Sequence, residues 1–126
     1  MKTFLAIFLT LFLLVSCTTS LDTKAFNQQI EKRTDIDSPK ELNKLYYGPY
    51  EVEGNSKLTI TTKTSDDHKF EITLIHNGIG DDSVSDIRIV MTAKRNKQTW
   101  TVLSIQESWK CHEGRGHSYW AATKCS

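Results

Sequence analysis

The sequence predicts an α+β fold in which one or two N-terminal helices pack on an antiparallel meander of four to five strands. Two observations predict it. Helix start and stop signals are confined to residues 22–49, and apolar and polar residues alternate from residue 50 onward. Helices that precede a run of strands, instead of alternating with them, are typical of α+β domains. We expect the helices to cover one face of the sheet.

The helical part divides into two segments. The first has Asp22 as a candidate N-cap. The second begins where Ser38 can cap, Pro39 occupies the first helical position and Glu41 completes a capping box. Gly48 is expected to end it. One face of the first helix carries Ala25, Phe26, Gln29, Ile30 and Arg33.

Alternation predicts four strands after residue 56, and residues 50–53 can add a fifth. The fourth strand, residues 100–109, has apolar residues on both faces, which predicts a central strand or a bulge near Val102. We expect His76 to be a core histidine with a hydrogen-bond partner. The predicted inner face of the second and third strands consists of Phe70, Ile72, Leu74, His76, Ile87, Ile89, Met91 and Ala93.

The order of these elements resembles that of cystatin-like and NTF2-like domains, in which helices pack on an antiparallel sheet. This likeness concerns the fold alone, and a fold of this kind hosts many unrelated functions. Residues 65–68 and 94–97 are the expected hairpin turns.

The N-terminal segment predicts export. Lys2 is the only charged residue before Asp22, and every residue from 3 to 15 is apolar or threonine. A basic start followed by a short apolar run is typical of a secretory signal peptide. A membrane-spanning helix needs about 20 apolar residues, and this run is shorter.

Residues 14–17, with the sequence LVSC, resemble the lipobox of bacterial lipoprotein precursors. The resemblance implies cleavage before Cys17, diacylglyceryl attachment to its thiol and acylation of its new amino group, which together give a stable anchor. The chain then divides into a signal peptide (residues 1–16), a lipidated tether (17–22) and a single small globular domain (23–126). This implies a place in the cell envelope, outside the cytoplasm. The residue after the cysteine is Thr18 and not aspartate, which by resemblance to lipoprotein sorting in Gram-negative bacteria implies the outer membrane if the organism is Gram-negative.

The charge balance argues against a nucleic-acid partner. The whole chain has 16 basic and 15 acidic residues, and loss of Lys2 with the signal peptide leaves 15 of each. A nucleic-acid-binding domain would present a clearly basic face. The basic cluster at residues 94–97 is interpreted as a solvated turn.

The chain has three cysteines, an odd number for an exported protein. Lipid on Cys17, which the lipobox resemblance implies, leaves Cys111 and Cys125 as a pair. Outside the cytoplasm we expect this pair to form a disulfide. Closing a loop of about 15 residues is worth about 3 kcal/mol in the chain-entropy model. We therefore expect a C-terminal loop closed by a disulfide.

Residues 109–125 form the densest cluster of unusual residues. They follow the pattern W-x-C-x-x-G-R-G-H-x-x-[WF] with a final cysteine, and so resemble the ending of small, largely uncharacterised exported bacterial proteins. The resemblance covers residues 80–126. It implies no activity or cofactor.

Three interpretations of this segment stay open. The first is a structural cap, in which Gly114 and Gly116 take positive φ angles. The second is a rigid recognition loop, whose candidate binding residues are His112, Arg115, His117, Tyr119 and Trp120. The third is a metal or catalytic site. Its candidate zinc ligands, in a spacing that matches no standard finger, are Cys111, His112, His117 and Cys125. Its candidate acid–base set is His112, Glu113 and His117.

We expect a non-enzymatic envelope lipoprotein that binds a protein or peptide partner, as an inhibitor, an immunity-type factor or an accessory of an envelope complex. No catalytic residue, cofactor or metal is assigned. One alternative is a small-molecule binder with a pocket between helices and sheet. Another is a hydrolase that uses His112, Glu113 and His117.

Asp81 and Asp82 are expected to serve a turn, because two carboxylates are too few for Ca²⁺.

Overall fold

The computed structural model of the chain describes residues 21–49, 54–65 and 68–126. Several sequence predictions lie outside these residues. They are the signal peptide, the lipidated Cys17 with the tether up to residue 20, the strand at 50–53, and the turn residues Asp66 and Asp67. Within the described ranges, neither helix has the length and hydrophobicity that a bilayer crossing requires.

Two helices precede four strands: α1 (Lys24–Ile30), α2 (Pro39–Tyr47), β1 (Lys57–Ser65), β2 (Lys69–Asn77), β3 (Val84–Asn96) and β4 (Thr99–Cys111). The strands form one antiparallel sheet in the order β1-β2-β3-β4. The structure confirms the α+β class and the antiparallel meander. It does not identify a cystatin-like or NTF2-like arrangement.

Both helix starts differ in detail from the sequence prediction. Thr23 is the N-cap of α1, while the carboxylate of Asp22 accepts a hydrogen bond from the Lys24 N–H at 2.9 Å. Ser38 does precede α2, but its hydroxyl makes no capping bond to the described backbone. The Glu41 N–H, which that hydroxyl would take in a capping box, donates instead to the Ser38 carbonyl at 3.1 Å.

The carboxylate of Glu41 reaches one residue further back than a capping box requires. It accepts a hydrogen bond from the Asp37 N–H at 3.0 Å. The predicted end of α2 is confirmed, because Gly48 lies at the C-cap with φ of 87° and donates its N–H to the Lys44 carbonyl. A positive φ at this position favours glycine.

The helices cover one face of the sheet, and the core lies between the two layers. The inner faces predicted for the second and third strands, β2 and β3, are confirmed. Trp100 is buried in this core, and its indole N–H donates to the Ile36 carbonyl at 2.9 Å. The buried apolar residues are Phe26, Ile30, Ile36, Leu42, Ile72, Leu74, Ile89, Met91, Ala93, Trp100, Val102 and Ile105.

His76 is a buried core residue, as predicted. The Tyr47 hydroxyl lies 2.8 Å from its Nδ1, and the two rings meet edge to face. Burial lowers the pKa of His76, while the negative charge of Asp86 acts in the opposite direction.

A bulge in β4 explains why this strand has apolar residues on both faces. Thr92 of β3 pairs with Ser104 and Ala93 pairs with Val102, which leaves Leu103 as the extra residue. The bulge interrupts the alternation, so Val102 and Ile105 are both buried while Leu103 is 46% exposed. The prediction of a bulge near Val102 is confirmed. The alternative of a central strand is wrong, because β4 lies at an edge of the described sheet.

Groups from outside the sheet pair with the free edge of β4. Beside the bulge, the side-chain amide of Asn27 bonds the main chain of Val102 twice. Its Oδ1 accepts from the Val102 N–H at 2.8 Å, and its Nδ2 donates to the Val102 carbonyl at 2.8 Å. Further along, the Leu21 N–H donates to the Ile105 carbonyl at 3.0 Å. The edge is thereby less available for pairing with another strand.

Replacing Asn27 with alanine is expected to lower the free energy of unfolding by about 1–2 kcal/mol. The change leaves two main-chain groups of Val102 without their partner, which costs about 1–3 kcal/mol. The better helix propensity of alanine offsets about half a kcal/mol of this cost. Urea denaturation of Asn27→Ala, compared with Gln28→Ala on the exposed side of α1, measures the effect. Equal midpoints for the two variants would contradict this role of Asn27.

Candidate functional site

The candidate site is the C-terminal loop, residues 112–125, which continues from the end of β4. Its two ends are joined, because Cys111 and Cys125 form a disulfide with Cα atoms 5.5 Å apart. This confirms the disulfide predicted from the cysteine count. Cys111 is buried and Cys125 is half-buried.

The C-terminal loop folds back along the edge of β4. Trp109 and Ala121 exchange two main-chain hydrogen bonds of 2.9 and 3.2 Å, and the Cys111 N–H donates to the His117 carbonyl at 2.9 Å. The return requires glycine at position 116, where φ is 139°. A Cβ atom there would lie 2.9 Å from the Sγ of Cys111. Gly116 therefore permits both the backbone turn and the close approach to the disulfide.

The other side of the C-terminal loop contacts the connection between β2 and β3. The His112 N–H donates to the Ser83 carbonyl at 2.9 Å, and His112 Nε2 lies 2.9 Å from the Asp81 carbonyl oxygen. The Ser83 hydroxyl donates to the main-chain oxygen of Ser126 at 2.9 Å. His112, a predicted binding residue, is thus occupied in holding the loop to its neighbour.

The carboxylate of Asp81 serves a turn, as expected. It accepts hydrogen bonds from the Val84 and Ser83 N–H groups, both at 2.9 Å. These bonds stabilise the ionised form, and they hold the pKa of Asp81 below its ordinary value, with a smaller contribution from His112.

His117 is fixed by carbonyl groups on both sides of its ring. Nδ1 lies 2.8 Å from the Tyr119 carbonyl oxygen, and Nε2 lies 2.7 Å from the Thr123 carbonyl oxygen. Both contacts are hydrogen bonds only when both nitrogens carry a proton. Both ring nitrogens therefore face main-chain carbonyl oxygens of the loop. The ring locks the middle of the C-terminal loop.

Trp120 packs against the outer face of the sheet, opposite the helices. Its ring lies beneath two cations, with the Arg88 guanidinium 4.9 Å and the Lys110 ammonium 4.8 Å from ring centroids. Cation–π contacts of this kind contribute about 0.5–1 kcal/mol each at exposed sites. Trp120 is half-buried by this packing and acts as an anchor of the loop.

Arg115 and Tyr119 project into solvent. Tyr119 is 68% exposed, and its ring stacks at a tilt on the His117 ring, with centroids 5.4 Å apart. Among the described residues, the Arg115 guanidinium makes one long hydrogen bond, 3.4 Å to the Ser126 main-chain oxygen. The five predicted binding residues thus divide into two groups. His112, His117 and Trp120 hold the loop, and Arg115 and Tyr119 are displayed by it.

The structure brings together only some of the residues predicted for a catalytic site or a metal site. No hydrogen bond joins His112, Glu113 and His117 in the part of the chain that the structure describes. The ligand atoms of Cys111, His117 and Cys125 all lie within 4.8 Å of one another, and His112 is not a member of this group. The sequence patterns did not identify Ser83, Arg88 and Lys110, whose side chains contact the C-terminal segment. Alternation along the strands places Arg88 and Lys110 on the outer face, which is the signal that could have found them.

Comparison of the chain with protein-family models, with curated proteins and with solved structures finds no match. The properties of the candidate site therefore rest on its geometry.

Asp81 is expected to make stability depend on pH. Because its pKa is lower in the folded state, its contribution is present above the ordinary value of 3.8 and is lost as the pH falls through the folded-state value. Asp81→Ala should unfold at a lower urea concentration than the wild type at pH 7. The difference should shrink as the pH falls from about 4 to about 2. The neighbouring exposed Asp82→Ala is the matched control. A difference that persists unchanged at pH 2 would contradict this role.

Proposed function

We propose that the chain is a lipid-anchored lipoprotein of a bacterial cell envelope, and that its domain binds a protein or peptide partner through the C-terminal loop. The single observation that supports the binding role is the 68% exposure of Tyr119 on a loop that a disulfide, main-chain hydrogen bonds and cation–π contacts fix to the sheet. The main chain of this loop bonds β4, and its side chains bond the β2–β3 connection and the outer sheet face.

The rigidity of the loop makes Tyr119 and Arg115 suitable as anchors for a partner. Tyrosine and arginine are enriched among residues that dominate binding energies. Ordering a flexible side chain or loop on binding costs free energy, and a loop already fixed by the disulfide and by His117 avoids most of that cost. A large aromatic ring held in solvent by a stack on a fixed histidine has no evident role in stability.

The space between the helices and the sheet is filled by side chains from both layers. Leu42 of α2 and Ile72, Leu74 and Ile89 of the sheet are all at most 2% exposed. A small molecule would have to displace these core residues to lie there. This favours the surface of the C-terminal loop as the binding site over the interior of the domain.

The proposed anchor would hold the domain close to the membrane. The Leu21 N–H bonds the middle of β4, at the Ile105 carbonyl. A lipidated Cys17 lies four residues earlier, and four extended residues span at most about 14 Å. The part of the β4 edge around Leu21 and Ile105 would then lie near the lipid surface. Two of the exposed apolar side chains, Leu21 and Leu103, are 37% and 46% exposed and belong to this edge, which supports the orientation.

A photoreactive phenylalanine analogue at position 119 should form a covalent adduct with the partner in intact cells. The same analogue at Gln98, in the turn at the opposite end of β4, is the matched control and should give none. A second substitution, Arg115→Ala, should reduce the yield at position 119 by about tenfold, because one interfacial anchor is worth about 1–2 kcal/mol. Immunoblotting of the tagged chain measures the adducts.

Two outcomes of the crosslinking experiment would contradict the binding role of the loop. One is the same set of adducts from positions 119 and 98. The other is an adduct at 119 whose yield does not change with Arg115→Ala, although the variant is folded and disulfide-bonded.

The lipid anchor has a separate test. Intact-mass analysis of the membrane fraction should show a chain that begins at Cys17 and carries a diacylglyceryl group. Cys17→Ser should prevent lipid attachment and release the domain from the membrane, whereas Cys125→Ser should keep the lipid. Wild-type protein without the added lipid mass, or Cys17→Ser protein that stays in the membrane fraction, would refute the anchor.

A further inference from the structure

We infer that the reduced form of this protein has a site for a thiophilic divalent cation such as Zn²⁺, with Cys111, Cys125 and His117 as its ligands. The proposal does not depend on the lipid anchor or on the binding role of the loop. It concerns the dithiol state of the protein, because the oxidised cysteines have no thiolates to offer.

The positions of the three ligand atoms fit one small cation. Zinc binds cysteine sulfur at about 2.3 Å and histidine nitrogen at about 2.0–2.1 Å, which at a tetrahedral angle places sulfur and nitrogen about 3.6 Å apart. The Sγ of Cys111 lies 3.6 Å from Nε2 of His117, and all three ligand atoms lie within 4.8 Å of one another. After reduction, the two sulfurs have to separate to about 3.8 Å, which rotation of the two side chains provides.

The surroundings of His117 match those of a metal-bound histidine. Such a residue donates its other ring N–H to a carboxylate or a backbone carbonyl, which fixes the orientation of the ring. Nδ1 of His117 already lies 2.8 Å from the Tyr119 carbonyl oxygen. On binding, Nε2 gives up its contact with the Thr123 carbonyl and turns its lone pair to the cation.

His112 is excluded from the ligand set although it follows Cys111 directly. Its Nε2 lies 2.9 Å from the Asp81 carbonyl oxygen, on the side of the β2–β3 connection. Three protein ligands leave one coordination position open for water or for a group of another molecule. Cys111 is 7% exposed, so one side of the site is shielded from solvent.

Formation of the site requires reduction of the disulfide and loss of protons from the ligands. A dithiol reductant transfers two electrons and two protons to the disulfide between Cys111 and Cys125, and is itself oxidised to a disulfide. Binding of the cation then displaces the two thiol protons. Nε2 of His117 binds the cation through its lone pair, so any proton on this nitrogen is released to solvent. Two thiolates and one divalent cation give a neutral centre.

The test uses the full chain reduced by a phosphine under anaerobic conditions and titrated with Co²⁺ as a spectroscopic probe. We expect one Co²⁺ per chain, with thiolate-to-cobalt charge-transfer absorption and the visible bands of a tetrahedral ion. Zn²⁺ should displace the cobalt. The oxidised protein should show no such absorption. His117→Ala should weaken binding by at least about tenfold, since loss of even an outer-shell partner costs about 10–100-fold.

Controls separate ligation from folding. His112→Ala should leave the Co²⁺ spectrum and affinity unchanged. His117→Gln keeps a polar side chain against the loop carbonyls without an imidazole ligand, and it should lose affinity as His117→Ala does. Far-ultraviolet circular dichroism and a cooperative urea transition of the oxidised form show that each variant folds. The proposal is overturned by reduced wild-type protein that takes up no Co²⁺. Equal affinities and spectra for the wild type and both His117 variants would also overturn it, because they would indicate binding by the thiols alone.

Discussion

The pairing of the free edge of β4 is the interaction on which the rest of the structure depends. A strand of 13 residues at the edge of a sheet presents a row of unpaired N–H and carbonyl groups. Here those groups are paired by three different parts of the chain. Asn27 pairs near the bulge, Leu21 pairs in the middle, and Ala121 and His117 pair at the far end. The first helix, α1, and the C-terminal loop are thereby attached to the same strand.

The disulfide makes the last of these pairings possible. Residues 112–125 contain no helix or strand of their own, so they have little local propensity to return to β4. Closing the loop between Cys111 and Cys125 removes much of the conformational entropy that would oppose the return. Its worth of about 3 kcal/mol is a large share of the stability of a domain this small. The same constraint keeps Tyr119 and Arg115 in place at the surface.

Features that depend on residues close together in the sequence could be predicted. Contacts between residues far apart in the sequence could not. The inner faces of β2 and β3 follow from period-two alternation, and the disulfide follows from the cysteine count and the expected compartment. The bulge was one of two explanations for the pattern of β4. By contrast, Asn27 pairs with Val102 across 75 residues, and His112 contacts Asp81 across 31 residues. No local pattern marks Asn27 as the partner of a strand edge. The predicted capping box at Ser38 is absent for a local reason. The Glu41 N–H donates to the Ser38 carbonyl and not to the Ser38 hydroxyl.

Amide hydrogen exchange at Trp109, Cys111 and Ala121 tests most directly whether the disulfide holds the C-terminal loop on the edge of β4. These three N–H groups bond across the junction of strand and loop, whereas the amide of Met91 lies within the sheet. We expect all four to be protected in the oxidised protein, measured in the absence of divalent cations. Reduction should sharply increase exchange at the three junction amides while Met91 keeps its protection. Junction amides that exchange as fast as exposed loops before reduction, or that stay equally protected after it, would contradict the account.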